Sequence, residues 1–128
     1  MRALLDTCTF LWLALEPERI SQNAANVIND ESVQLALSHG SIMEIVMKWQ
    51  SGKLPLPMSP EEWIPSRREF YQLENDPITE AVLYRSGQLP DVHKDPFDRL
   101  IAAAAIETSS VLLSPDLPLT ALGASRIW

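Results

Sequence analysis

The stretch His93-Lys94-Asp95-Pro96-Phe97-Asp98-Arg99-Leu100-Ile101-Ala102-Ala103-Ala104-Ala105-Ile106 reads as a loop that turns into a tightly packed helix with acids at its mouth. Asp95 is a good N-cap, and Pro96 suits the first helical position, where its missing N–H costs nothing. The run of alanines lets the helix backbone approach a neighbour closely. Asp98 shares a helical face with Ile101, Ala102 and Ala105, so it is predicted to look toward packed apolar surface. On their own, Asp95 and Asp98 have the spacing of a capping box, with acids favoured by the helix dipole. Where the other acids fall decides whether they do more than cap.

Working outward, 128 residues predict one domain spanning 1–128. Apolar residues make up 46% and charged ones 21%, which excludes a disordered chain. The single cysteine, Cys8, rules out an internal disulfide and reads as a small buried hydrophobe. The apolar run after Met1-Arg2 is too short for a signal peptide, and no stretch approaches a membrane span, so a cytoplasmic setting is expected. A net charge of −7 argues against a broad nucleic-acid-coating surface. It leaves room for an acidic metal site acting on phosphates, because a bound cation reverses the local sign.

Apolar runs at 3–5, 33–37 and 111–113 predict strands, with a possible edge strand at 126–128. Helical spacing is expected over 10–15, 21–28 (capped by Ser21), about 41–51 (ending at Gly52), 61–70 (capped by Ser59) and 78–84. Pro65 should bend or end the fourth of these. Residues 53–60, with three prolines, form an ordered connector in which Leu54, Leu56 and Met58 must find cover. Strands alternating with helices predict an α/β fold: a mainly parallel sheet of four to five strands, covered on both faces. Ligands bind such folds at the carboxyl edge of the strands.

Four acids should reach that edge. Asp6 follows the first strand, Glu44 lies early in the helix after the second, Asp98 lies one turn into the central helix, and Asp116 follows the third strand. Each has an innocent role open to it: Asp6 a helix cap, Ser41 with Glu44 a capping box, Asp116 a turn. Together they repel by about 1 kcal/mol per pair even in water. Such a cluster persists mainly around a divalent cation, and carboxylates without histidine or cysteine suit magnesium or manganese.

Asp6-Thr7, the segment Ser41 to Lys48 with Gly52-Lys53-Leu54, the His93-to-Ala105 stretch and Leu112-Leu113-Ser114-Pro115-Asp116 together resemble the PIN-domain ribonucleases. More narrowly they resemble the VapC toxins of toxin–antitoxin pairs, over nearly the whole chain. The chain departs from that pattern at Met43, Ala104, Ser114-Pro115 and Leu119, but not at the acids. The resemblance implies a PIN-like three-layer fold and an endoribonuclease that uses Mg2+ or Mn2+. Asp6, Glu44, Asp98 and Asp116 would be the catalytic metal-site acids, with Asp6 and Asp98 the most direct ligands and Asp95 an accessory acid. It further implies an RNA substrate, a homodimer and a cognate antitoxin. The apolar residues from Leu54 to Trp63 are the expected groove for the antitoxin tail.

Other residues carry two readings each. Thr7 is a cap or an outer support at the metal. Lys48, one turn beyond Glu44, makes a salt bridge or meets phosphate. His93 is expected to bond Asp95 or the backbone rather than serve as a base, and His39 to lie in a loop. Arg99 should point away from Asp98 and serve the surface or a partner. Trp12, Trp49, Trp63 and Trp128 are core or interface anchors, or stack on bases. Two rival functions remain open: a non-catalytic PIN-fold interaction domain, and an aspartate-dependent phosphohydrolase. The latter would want a second acid where Cys8 stands.

Overall fold

Five strands run parallel, and every one ends on the same edge. A computed structural model describes residues 1–128, with β1 (Arg2–Leu5), α1 (Thr7–Leu15), a 3-10 turn (Pro17–Arg19), α2 (Gln22–Ile28), β2 (Gln34–Ser38), α3 (His39–Gln50), α4 (Pro60–Phe70), β3 (Glu74–Asp76), α5 (Glu80–Gln88), α6 (Pro96–Glu107), β4 (Val111–Leu113), α7 (Pro118–Ala121) and β5 (Arg126–Ile127). Strand order is β3-β2-β1-β4-β5, with Leu5 level with Leu37 on one side and Leu113 on the other.

The alternation of side chains along a strand divides the core into two layers. Leu4, Ala36 and Leu112 face α5, α6 and α7, where Ala102, Ala103, Ala104 and Ala105 bring the α6 backbone close to the sheet. Ala3, Leu5, Leu35, Leu37 and Leu113 face Phe10, Ile45, Trp63 and Ile64 of α1, α3 and α4. This is the three-layer α/β arrangement expected. No helix is long and apolar enough to cross a membrane.

Several local expectations are corrected. The third helix starts at His39, not Ser41, and its N-cap is Ser38, whose hydroxyl accepts from Gly40 N–H. His39 is therefore helical, and Ser41 and Glu44 make no capping box. Pro65 does not end α4, which runs through it to Phe70. Pro65 and Glu61, whose carbonyl loses its N–H partner, are both exposed, while Trp63 and Ile64 are buried. Ser59 is the N-cap of α4 by position, but its side chain makes no capping bond. In the connector, Leu54 and Leu56 pack on the core as expected, whereas Met58 remains exposed. The fifth helix begins at Glu80 behind the Thr79 cap, two residues later than the spacing suggests. The polar strand β3 and the single turn of α7 have no counterpart among the expected elements.

Candidate metal centre

The carboxyl edge of the sheet brings the acids together: Asp6 and Asp116 follow strands, Glu44 lies on the helix after β2, and Asp95 and Asp98 open α6, which is reached from α5. Asp6 leaves β1 and caps α1, its carboxylate accepting from Thr9 N–H at 2.8 Å. Asp95 caps α6, accepting from the N–H groups of Phe97 and Asp98. Asp98 lies in the first turn of α6, Glu44 lies on α3, and Asp116 follows β4. A cleft of about 200 Å³ is lined by Asp6, Thr7, Cys8, Glu44, Lys48, Asp95, Asp98 and Asp116. Three hollows are larger: two, near 430 and 440 Å³, lie at the amino edge of the sheet, and one near 260 Å³ lies between α3 and α4. Chemistry, not size, marks the smaller cleft.

Asp6 is 5% exposed and has no cationic partner. Its burial raises its pKa above the ordinary carboxylate value, against the lowering effect of hydrogen bonds from Ser114, Thr9 and Cys8. Asp98 is raised as well, first by desolvation and further by Asp95 and Asp116. Lys48 Nζ stands 2.6 Å from the Glu44 carboxylate, and that bond raises the lysine pKa. The salt-bridge reading of Lys48 therefore holds in this structure.

Two neighbours behave differently from expectation. The His93 imidazole meets Asp98 Oδ2 at 2.6 Å, not Asp95. Arg99 does not serve the surface: its guanidinium donates to the carbonyls of Ser86, Leu89, Pro90 and His93, at 2.8 to 2.9 Å. The residue that follows Asp98 thereby holds the loop that delivers His93. His39 lies apart from the acids, 3.5 Å from Asn75 on β3.

Beneath the cleft the Thr7 hydroxyl donates to Ser41 Oγ at 3.0 Å, tying α1 to α3. Buried Ser114 accepts from Asp116 N–H at 3.0 Å and steadies the turn that carries that acid. Cys8 is only half-buried. Its thiol donates toward Asp6, and desolvation with the Asp6 charge pushes its pKa up, so it is a neutral donor rather than a nucleophile. Ser114 and Cys8 escape a reading of the sequence because nothing local marks a small polar residue as facing an acid.

An all-oxygen donor set with one buried, cation-free carboxylate fits a hard divalent ion. As the side chains stand, no three acids converge on a single point. Two of them are engaged by the chain itself, Glu44 by Lys48 and Asp98 by His93. A cation would have to draw these two away from their partners.

Comparison with known proteins adds to this geometry. The PIN domain model matches residues 3–122. Ribonuclease VapC22 of Mycobacterium tuberculosis is 30% identical over 114 residues, covering 88% of this chain and 85% of that protein. In fold, the chain resembles a DNA-bound VapBC structure from Salmonella typhimurium (TM-score 0.71, 18% identity, 99% and 97% of the two chains). It also resembles a VapBC2 structure from Rickettsia felis bound to promoter DNA (TM-score 0.69, 16% identity, 99% and 98% of the two chains).

Proposed function

Because this chain belongs to the PIN-domain family, and within it to the VapC ribonucleases, we propose that it is a magnesium- or manganese-dependent endoribonuclease, the toxin of a toxin–antitoxin pair acting in the cytoplasm. One observation carries the reading. Asp6, Glu44, Asp98 and Asp116 come from separate segments and line one cleft at the sheet's carboxyl edge.

In this reading Asp6 and Asp98 hold the ion most directly, and Glu44 and Asp116 complete the shell or orient water. When bound, the ion supplies Lewis-acid stabilisation of a phosphoryl oxygen and lowers the pKa of water. The chain's own residues prepare the site. The hydrogen bond from Thr9 N–H fixes the Asp6 carboxylate, so one oxygen ligand is preorganised. Thr7, donating to Ser41, ties α1 to α3 at the cleft. Asp95 acts by setting the start of α6, and thus the direction of Asp98. Lys48, exposed at the rim, can exchange Glu44 for a phosphate oxygen of RNA.

The test is incubation of purified protein with mixed RNA, with and without magnesium or manganese, beside an Asp98→Asn variant. Cation-dependent cleavage lost in the variant is expected. Absence of cleavage together with no effect of millimolar cation on thermal stability would sink the reading.

The VapBC assemblies that share the fold support a cognate antitoxin as partner. Its expected chemistry is a basic arm whose guanidinium sits among Asp6, Glu44 and Asp98 in place of the cation. The site expected for the arm's apolar residues needs correction, since Trp63 is 3% exposed and belongs to the core. Exposed apolar side chains flank the site residues in sequence instead: Met43 beside Glu44, Met47 beside Lys48, Val92 beside His93 and Leu117 beside Asp116. Titrating the complex with magnesium should loosen the arm, and indifference to the metal would place inhibition elsewhere. A homodimer is proposed as well, to be read from the mass in solution.

A further inference from the structure

Of the chain's charged pairs, one joins a buried acid to a cation that is free to leave. Lys48 Nζ and the Glu44 carboxylate belong to one face of α3 and meet at 2.6 Å, with side chains 51% and 9% exposed. The Arg2–Asp76 pair, by contrast, is covered on both sides, at 20% and 6%, and Arg19–Glu16 is open on both. Lys48 is also the only lysine or arginine that lines the acidic cleft. There the charges of Asp95 and Asp98 act on it together with that of Glu44.

Separation costs the two partners unequally. Glu44 is buried, so without its lysine it would carry a desolvated, unpaired charge. Lys48 has a compact ammonium on a flexible stem and can turn toward water or toward another anion. Glu44 therefore gives up its lysine only when a second cation replaces it. Lys48 leaves most readily when a second anion receives it. A divalent ion in the cleft is the first of these, and a backbone phosphate of RNA is the second.

We propose that Lys48 is an exchangeable counter-cation, through which RNA and the divalent ion bind the cleft cooperatively. The proposal rests on the metal-dependent ribonuclease reading and adds a regulation to it. Without RNA, Lys48 holds Glu44 and weakens the cleft's grip on the ion. A phosphate that accepts the ammonium in a charge-assisted bond leaves Glu44 open as a ligand. Linkage is reciprocal, so the ion must raise the affinity for RNA by the factor by which RNA raises the affinity for the ion. Direct attraction between ion and phosphate also couples the two without passing through Lys48. The experiment isolates the part that does.

The test is a double comparison on the full chain. The manganese concentration giving half of the maximal thermal stabilisation is measured for wild type and Lys48→Met. Each is taken with and without a nuclease-resistant 2′-O-methyl oligoribonucleotide of mixed sequence, at concentrations that anisotropy shows to saturate that protein. Lys53→Met, at an exposed lysine outside the cleft, gives the effect of lost charge alone. Without the strand, Lys48→Met should need about tenfold less manganese than wild type, and Lys53→Met should match wild type. With the strand the gap should close, because wild type has then released Glu44 as well. An uncharged methylphosphonate strand should leave it open. Far-UV circular dichroism confirms folding, and Lys48→Gln repeats the comparison should Lys48→Met not fold. No gap without the strand, a gap matched by Lys53→Met, or a gap that the charged strand leaves open overturns the exchange. So does a wild type that manganese does not stabilise or that does not bind the strand. Cleavage of ordinary RNA, assayed in parallel, separates the proposal from the reading beneath it. Cleavage without the gap keeps the ribonuclease and sinks the exchange; a gap closed by the strand without cleavage does the reverse.

Discussion

The imidazole of His93 and the carboxylate of Asp98 meet at 2.6 Å across the entry into α6. A cation that binds Asp98 must compete with that bond. His93→Ala should then reduce the manganese concentration needed for half of the maximal stabilisation, by roughly two- to tenfold, the equivalent of one hydrogen bond. Thermal melting across a manganese titration measures it. A higher concentration requirement in the variant would mean that His93 orients the ligand instead of withholding it.

The two acids of the central motif should separate by role. Asp95 accepts from the N–H groups of Phe97 and Asp98 as the cap of α6. Asp95→Ala should cost about 1 kcal/mol of stability and leave part of the activity. Asp98→Ala should abolish cleavage while stabilising the metal-free fold, since it removes a desolvated charge. Chemical denaturation paired with an RNA cleavage assay distinguishes the roles, and the opposite pattern would exchange them.

Stability should fall as pH rises through the acids' folded-state values. Asp6 and Asp98 both titrate above the ordinary carboxylate value, chiefly because burial disfavours the charge. The folded state therefore holds their protons more tightly than the unfolded state. That contribution is fully present below pH 3.8 and is lost as the pH climbs past the raised values. Asp6→Asn keeps a capping oxygen for Thr9 and cannot ionise. It should be more stable than the wild type at neutral pH without metal, and the advantage should shrink toward pH 4. Urea unfolding at several pH values reads the difference directly. An advantage that does not vary with pH would contradict the assignment.

Arg99 should tolerate no simple replacement. Its planar fork serves carbonyls from Ser86 to His93, a geometry that one ammonium cannot reproduce. Arg99→Lys should cost about 2 kcal/mol or more by leaving carbonyls without donors. Amide hydrogen exchange should rise over 86–93 before it rises in the sheet. Unchanged exchange there would remove Arg99 as the clasp.

Some of this was legible without coordinates. Leu4 and Leu112, and the run Leu35-Ala36-Leu37, announce strands because buried parallel strands are continuous apolar runs. Asp95-Pro96 announces a helix start because capping is satisfied within a few residues. In a parallel sheet with helices between its strands, the carboxyl ends of strands and the N-termini of helices share one edge. That is why Asp6, Glu44, Asp98 and Asp116 could be assigned to a single site from their positions alone.

Tertiary structure decided the rest. Glu74-Asn75-Asp76 carries no apolar signal; it is a strand because Ala36, Leu37 and Ser38 offer it an edge and Arg2, 74 residues away, meets Asp76 at 3.2 Å. The start of α3 moved to His39 because Ser38, at the end of β2, satisfies the first turn. The choice of Asp98 by His93, the turning of Arg99 onto four carbonyls, and the burial of Trp63 all depend on groups that the fold brings into reach. Apolar periodicity and caps act over a few residues and are written locally in the sequence. A hydrogen bond between side chains depends on where the whole chain sets its two ends, and no local pattern carries that information.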